Sequence, residues 1–70
     1  MRTILTIEGM MCEHCAKRVN KAIYSIIGVE SVEVDLASKK AVVISEDVSI
    51  DEMKEAVSEV GYKVVESKEG

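Results

Sequence analysis

The chain contains no Phe, no Trp and no Pro, and Tyr24 and Tyr62 are its only aromatic residues. A core without large rings has to be assembled from Val, Ile, Leu, Met and Ala. No linker or low-complexity tract interrupts the sequence. No apolar run approaches the roughly 18 residues that a membrane span needs. Met1-Arg2-Thr3 leads straight into a strand pattern rather than into the long apolar stretch of a signal peptide. The expected location is therefore cytoplasmic, with no direct membrane insertion. A basic stripe interleaved with aromatics is also missing and the formal charge is −4, so nucleic acid is not an expected partner. Cysteine occurs only twice, which is too few for an iron–sulfur cluster from one chain. In a reducing compartment two cysteines point to a metal or redox pair, not a structural bridge.

Seventy residues leave room for a single domain spanning 1–70. A domain of this size buries only about 60% of its unfolded surface, so regular packing matters. The charge is unevenly spread: residues 1–28 sum to +2 and residues 29–70 to −6. The half with both cysteines is thus locally basic on an acidic body.

Hydrophobic periodicity divides the chain into six elements. Thr3 to Glu8 reads as a strand with Leu5 and Ile7 on one face, ended by Gly9. From Cys15 to Ile27 the apolar positions Cys15, Val19, Ala22, Ile23 and Ile26 recur three or four apart, which predicts an amphipathic helix closed by Gly28. Val29 to Leu36 alternates, with Val32, Val34 and Leu36 opposite Glu33 and Asp35. A turn at Ser38-Lys39-Lys40 returns the chain as a third strand over Ala41 to Ser45. Ser49-Ile50-Asp51-Glu52 has the form of a capping box, and Ile50, Met53, Ala56, Val57 and Val60 make the stripe of a second helix. Gly61 stops it, and Tyr62 to Ser67 supplies a last, edge strand. The order βαββαβ implies a ferredoxin-like α/β (α+β) sandwich: two split βαβ units forming a four-stranded antiparallel sheet with both helices on one face.

The chemistry concentrates in Gly9-Met10-Met11-Cys12-Glu13-His14-Cys15, between the first strand and the first helix. Two cysteines placed at random would be three apart roughly one time in forty, so their position at a helix mouth is informative. Free N–H groups, the positive end of the helix dipole and the nearby Lys17 and Arg18 all favour thiolates there. A structural zinc site wants four ligands, and two Cys with one intervening His fall short. Soft thiolates favour soft ions, and Cu(I) accepts two or three sulfurs. Such a shell leaves a flank open to an incoming thiolate, which suits transfer better than storage.

This segment resembles the Gly-Met-x-Cys-x-x-Cys signature of the heavy-metal-associated domain family, found in copper chaperones and in the amino-terminal modules of copper-transporting P-type ATPases. The likeness extends through the βαββαβ order to Gly61-Tyr62, and it is nearest in character to the bacterial CopZ-type chaperones. The resemblance implies that Cys12 and Cys15 are the metal ligands, that Met10 is a buried support and that Tyr62 sits on a loop facing the metal. It implies a carrier rather than an enzyme. The expected partner is the metal-binding domain of a copper-transporting P-type ATPase, with a copper-responsive regulator and a metal-bridged homodimer as further candidates. Met11 stands where the family more often has Thr or Ser.

Each candidate carries a plainer reading as well. Met10 is in phase with Leu5 and Ile7 and reads as core; Met11 reads as an exposed docking contact more than as a ligand. His14 should point outward, either tuning thiol acidity or simply solvated. Lys17, Arg18 and Lys21 form a solvated helix face that doubles as a docking patch beside the motif. Tyr62 is either a core aromatic or a hydrogen-bond donor toward a sulfur. The rival readings are a Zn(II), Cd(II) or Hg(II) carrier of the same fold, a thiol–disulfide redox protein, and a module cut from a longer ATPase. Against these stand the absence of an acid before Cys12, the absence of Pro and Trp, and ends that look natural for a stand-alone chain.

Overall fold

The computed structural model describes residues 1–70. Alternation of apolar residues drives β1 (Arg2–Glu8), where Thr3, Leu5 and Ile7 are buried and the intervening side chains are not. Helix α1 (Glu13–Tyr24) buries Val19 and Ile23, and α2 (Ile50–Glu59) buries Met53 and Val57. Strands β2 (Val29–Asp35), β3 (Lys40–Ser45) and β4 (Lys63–Glu69) complete the βαββαβ order. The sheet runs β2-β3-β1-β4 and every pairing is antiparallel, so β4 is an edge, as the sequence pattern predicts, and β2 is the other.

Both helices cover one face of this sheet. Leu5, Ile7, Met10, Val19, Ile23, Ala41, Val43, Val48, Met53 and Val57 form one buried cluster, without an aromatic ring. Fully burying a Leu, Ile, Val or Met side chain is worth about 1.5–3 kcal/mol, so this cluster is the main source of stability. Asn20 Nδ2 donates to the Val32 carbonyl at 3.0 Å and ties α1 to the β2 edge. The start of α2 forms as its capping signature implies, with Ser49 Oγ accepting from the Glu52 N–H at 3.2 Å.

The first helix differs from the sequence expectation at both ends. It begins at Glu13 rather than Cys15, because Cys12 is the extended residue (φ −156°, ψ 169°) that caps it. It ends at Tyr24 rather than Ile27. Ser25 Oγ turns back to the Ala22 carbonyl at 2.7 Å, and the Ile26 N–H bonds to the Ile23 carbonyl in a tighter turn. Ile26 still packs on the core, which is why the apolar period runs past the true helix end, whereas Ile27 is 96% exposed. Gly28 then reverses the chain with φ +105°, and a Cβ there would lie 2.6 Å from the Glu46 carbonyl oxygen. The last strand starts one residue later than expected and continues to Glu69, pairing across a bulge between Thr6 and Ile7. Tyr62 consequently precedes β4 in the turn after α2.

β1 and β3 run antiparallel and each is followed by a helix that crosses back, so α1 and α2 are antiparallel as well. The start of α1 and the end of α2 therefore share one pole of the molecule. That pole holds the cysteines.

Candidate metal centre

The loop between β1 and α1 is shaped by two residues with opposite needs. Gly9 adopts φ +100°, a conformation L side chains rarely take, and a Cβ there would stand 3.2 Å from Tyr62 Cδ1. Met10 follows with 2% exposure and plugs into the core, anchoring the loop to the sheet. With Met10 held inside, the next residues must face outward: Met11 is 90% exposed and Cys12 is exposed.

Cys12 caps α1 through its backbone, since the Ala16 N–H bonds to the Cys12 carbonyl at 3.1 Å, but its side chain makes no capping bond. The N–H groups of the first turn are left pointing at the loop, where the helix dipole is positive. Cys15 lies in that first turn, half-buried against the rim of the core. The two sulfurs are 3.6 Å apart and both are free thiols.

The largest single influence on Cys15 comes from a residue distant in sequence. Its thiol is lowered from the ordinary 9.0 to about 7, first by a hydrogen bond from the Tyr62 side chain, then by a backbone bond at Met11, the Cys12 side chain and a backbone bond at Cys12; burial opposes them. A backbone group lowers a thiol only by donating, so Met11 and Cys12 act through their N–H groups. Tyr62 shows the reciprocal effect: its phenol is raised, mainly because its O–H donates a hydrogen bond to the Cys15 sulfur, with burial and the Cys15 charge adding to this and Arg18 pulling the other way.

Of the residues singled out by sequence, the fold gathers Cys12, Cys15 and Tyr62 at one pole, with Met10 beneath them. His14, Lys17 and Arg18 are all exposed on α1, and together with Lys21 they line a shallow hollow on that helix. His14 does not turn back to the sulfurs to make a third donor: no group of three or more His, Cys, Asp or Glu side chains is disposed to hold an ion. Two contributors were not visible to sequence reasoning. The Met11 N–H acts through the backbone, which leaves no side-chain signal. The close approach of Gly9 to the Tyr62 ring joins residues 53 positions apart. Gly9, which opens the Gly-Met-x-Cys-x-x-Cys signature, carries the one sequence hint of that approach.

This donor set suits a soft ion with a low coordination number. The sulfurs face solvent on the Cys12 side and a hydrogen-bond donor on the Cys15 side, an arrangement open to a second protein.

The chain is similar to known proteins over most of its length. The profile of the heavy-metal-associated domain matches residues 4–63. The "Copper chaperone CopZ" of Staphylococcus haemolyticus (strain JCSC1435) is 40% identical over 63 residues, covering 87% of this chain and 93% of the relative. Among solved structures, one described as "CopZ metallochaperone" superimposes with a TM-score of 0.90 at 39% identity, covering 93% of this chain and 100% of its own. The N-terminal domain of a potential copper-translocating P-type ATPase from Bacillus subtilis, solved in the Cu(I)-loaded state, gives a TM-score of 0.85 at 32% identity, covering 99% of this chain and 91% of its own.

Proposed function

The chain belongs to the heavy-metal-associated domain family, and from that premise we propose that it is a cytoplasmic chaperone that carries one Cu(I) ion on Cys12 and Cys15 and passes it to a partner. The observation that carries this reading is the pair of free thiols 3.6 Å apart at the mouth of α1 with no third donor beside them. Two thiolates satisfy Cu(I) and leave Zn(II) two ligands short of a closed site. The resulting bis-thiolate complex has net charge −1, which the first-turn N–H groups of α1 offset.

Transfer proceeds by ligand exchange. A partner cysteine, deprotonated on approach, attacks the ion from the open flank and forms a three-coordinate species. The exposed Cys12 is the sulfur that leaves first and takes up a proton from water. Cys15, half-buried against the rim of the core, is the less accessible sulfur and the last to let go. The partner that fits is the metal-binding domain of a copper-transporting P-type ATPase, a reading supported by the likeness to such a domain from Bacillus subtilis. Lys17 and Arg18 flank the exit and guide an acidic surface toward it. A copper-responsive regulator with accessible thiolates would be served by the same chemistry, and so would a metal-bridged homodimer.

No helix of the chain is long and apolar enough to cross a membrane, which accords with a carrier that meets the ATPase from one side. The test is an anaerobic competition between Cu(I) and Zn(II), read together with X-ray absorption on protein loaded in cells. Two sulfur scatterers and tighter Cu(I) binding are expected. Preference for Zn(II) would overturn the metal, and insulin-disulfide reduction lost in Cys12→Ser would replace the carrier with a redox enzyme.

A further inference from the structure

The groove between α1 and α2 has walls of opposite charge. Arg18 and Lys21 rise from α1 on one side, while Glu52, Glu55 and Glu59 rise from α2 on the other. All five are exposed. None is paired within the chain, since its one ion pair is Lys68 with Glu66 at 3.6 Å. The basic residue of α2, Lys54, falls on the opposite side of that helix, about 200° around from Glu52, and so leaves the acidic wall intact.

We propose that this two-signed helical face is a docking surface for a second copy of the chain, with α1 of each copy lying on α2 of the other. Two copies meeting face to face have two simple two-fold axes available within the interface, one along the helices and one across them. The axis across the helices sets α1 on α1 and α2 on α2, opposing like charges on both sides. The axis along the helices sets each basic wall on an acidic wall, so every facing pair occurs twice. Rotation about an axis along the helices leaves position along that axis unchanged, so like poles stay together and both cysteine loops come to the same end.

Size and charge fix the strength. Helices of 12 and 10 residues are about 18 and 15 Å long. A face of that length and two helices wide buries well under the roughly 1,200 Å² of a stable interface. The association is therefore weak and transient, with a Kd on the order of 1 mM. Net charge does not prevent it at physiological salt, where screening over about 8 Å removes the repulsion between two −4 bodies but spares charges in contact.

The association needs no metal, so its test uses metal-free protein with chelator and reductant. Amide spectra are followed from about 0.1 to 2 mM protein, a range that brackets the expected Kd. Concentration-dependent shifts are expected along residues 14–25 and 52–60. Each facing pair favours binding by roughly two- to fivefold, so reversing one wall with Glu55→Lys and Glu59→Lys should weaken association at least about tenfold. Adding Arg18→Glu and Lys21→Glu to the same chain exchanges the walls and should restore affinity to within about threefold, because self-complementarity returns. Every changed position is exposed, so folding is not at stake. A four-site exchange that stays as weak as the two-site reversal, shifts centred instead on Ile4, Val42 and Ile44 of the open sheet face, or spectra that do not change with concentration would each overturn the proposal.

Discussion

Replacing Tyr62 with Phe removes one oxygen and should change the acidity of a thiol 47 positions away. Cys15 is lowered from 9.0 to about 7 by four hydrogen-bonding contributions, and burial opposes them, so their sum exceeds the net change. The largest comes from Tyr62 and must then account for at least a quarter of it. The Cys15 midpoint should rise from about 7 to about 7.5 or above in Tyr62→Phe. At pH 7 the thiolate fraction falls from about one half to about one quarter or less.

A rate measured at one pH would miss this. A thiolate of higher pKa is intrinsically more nucleophilic, with a Brønsted coefficient of about 0.4–0.5, so the gain per thiolate is about 1.7-fold and nearly cancels the loss of thiolate. The informative assay is the carbon-13 shift of the Cys15 Cβ followed from about pH 5 to 10 in the reduced apoprotein, which reads the midpoint directly. The phenyl ring is kept, so the packing of Tyr62 on Gly9 survives the substitution. Stability should follow with a definite sign. Because the folded-state thiol is the more acidic, its contribution is fully present above the unfolded value near 9 and is lost as pH falls through about 7. In Tyr62→Phe the contribution is smaller and its loss is complete at a higher pH. A midpoint unchanged within about 0.2 in the variant, or a wild-type midpoint near 9, would refute the assignment of Tyr62 as the main source.

Other substitutions probe the frame around the site. Gly28→Ala should cost at least about 2 kcal/mol in urea unfolding, since the new methyl meets the Glu46 carbonyl at 2.6 Å at a positive φ; a loss below about 0.5 kcal/mol would show that the turn can yield. Ser45 Oγ is buried without a partner, so Ser45→Ala should stabilise the fold by about 1 kcal/mol, and destabilisation would mean that the hydroxyl is satisfied in solution. Ser49→Ala should lose about 1 kcal/mol by removing the cap on the Glu52 N–H, with circular dichroism melts as the readout. Chelation of metal should leave the far-ultraviolet spectrum unchanged, because neither Cys12 nor Cys15 belongs to the ten-residue buried cluster; collapse of the spectrum would contradict this.

The fold was largely legible because its signals are local and repeated. Alternation in β1 and β2, the three-and-four spacing of α1 and α2, and the Ser49 cap each specify an element from neighbours in sequence. At the end of α1, by contrast, a non-local contact decides what periodicity does not show. Ile26 keeps the helical period because it packs on the core, yet the backbone beneath it has already left the α-helix to meet Gly28 and the Glu46 carbonyl. No periodicity distinguishes those two situations.

The site divides along the same line. Cys12 and Cys15 declare themselves by type and spacing, but the acidity of Cys15 is raised most by Tyr62, in the turn after α2, and next by the backbone N–H of Met11. Antiparallel helices explain why this must be so. Whatever follows α2 arrives at the same pole as whatever precedes α1, so the residue after Gly61 is delivered to the cysteine loop by topology alone. A phenol placed there can tune one sulfur without touching the other's exposure to solvent. The two sulfurs thereby become inequivalent, one exposed and one half-buried beside its hydrogen-bond donor, an asymmetry that the proposed stepwise transfer would use. Moving the hydrogen bond from Cys15 to Cys12 should thus slow transfer more than it alters binding, a separation that stopped-flow exchange and equilibrium competition can measure on the same protein.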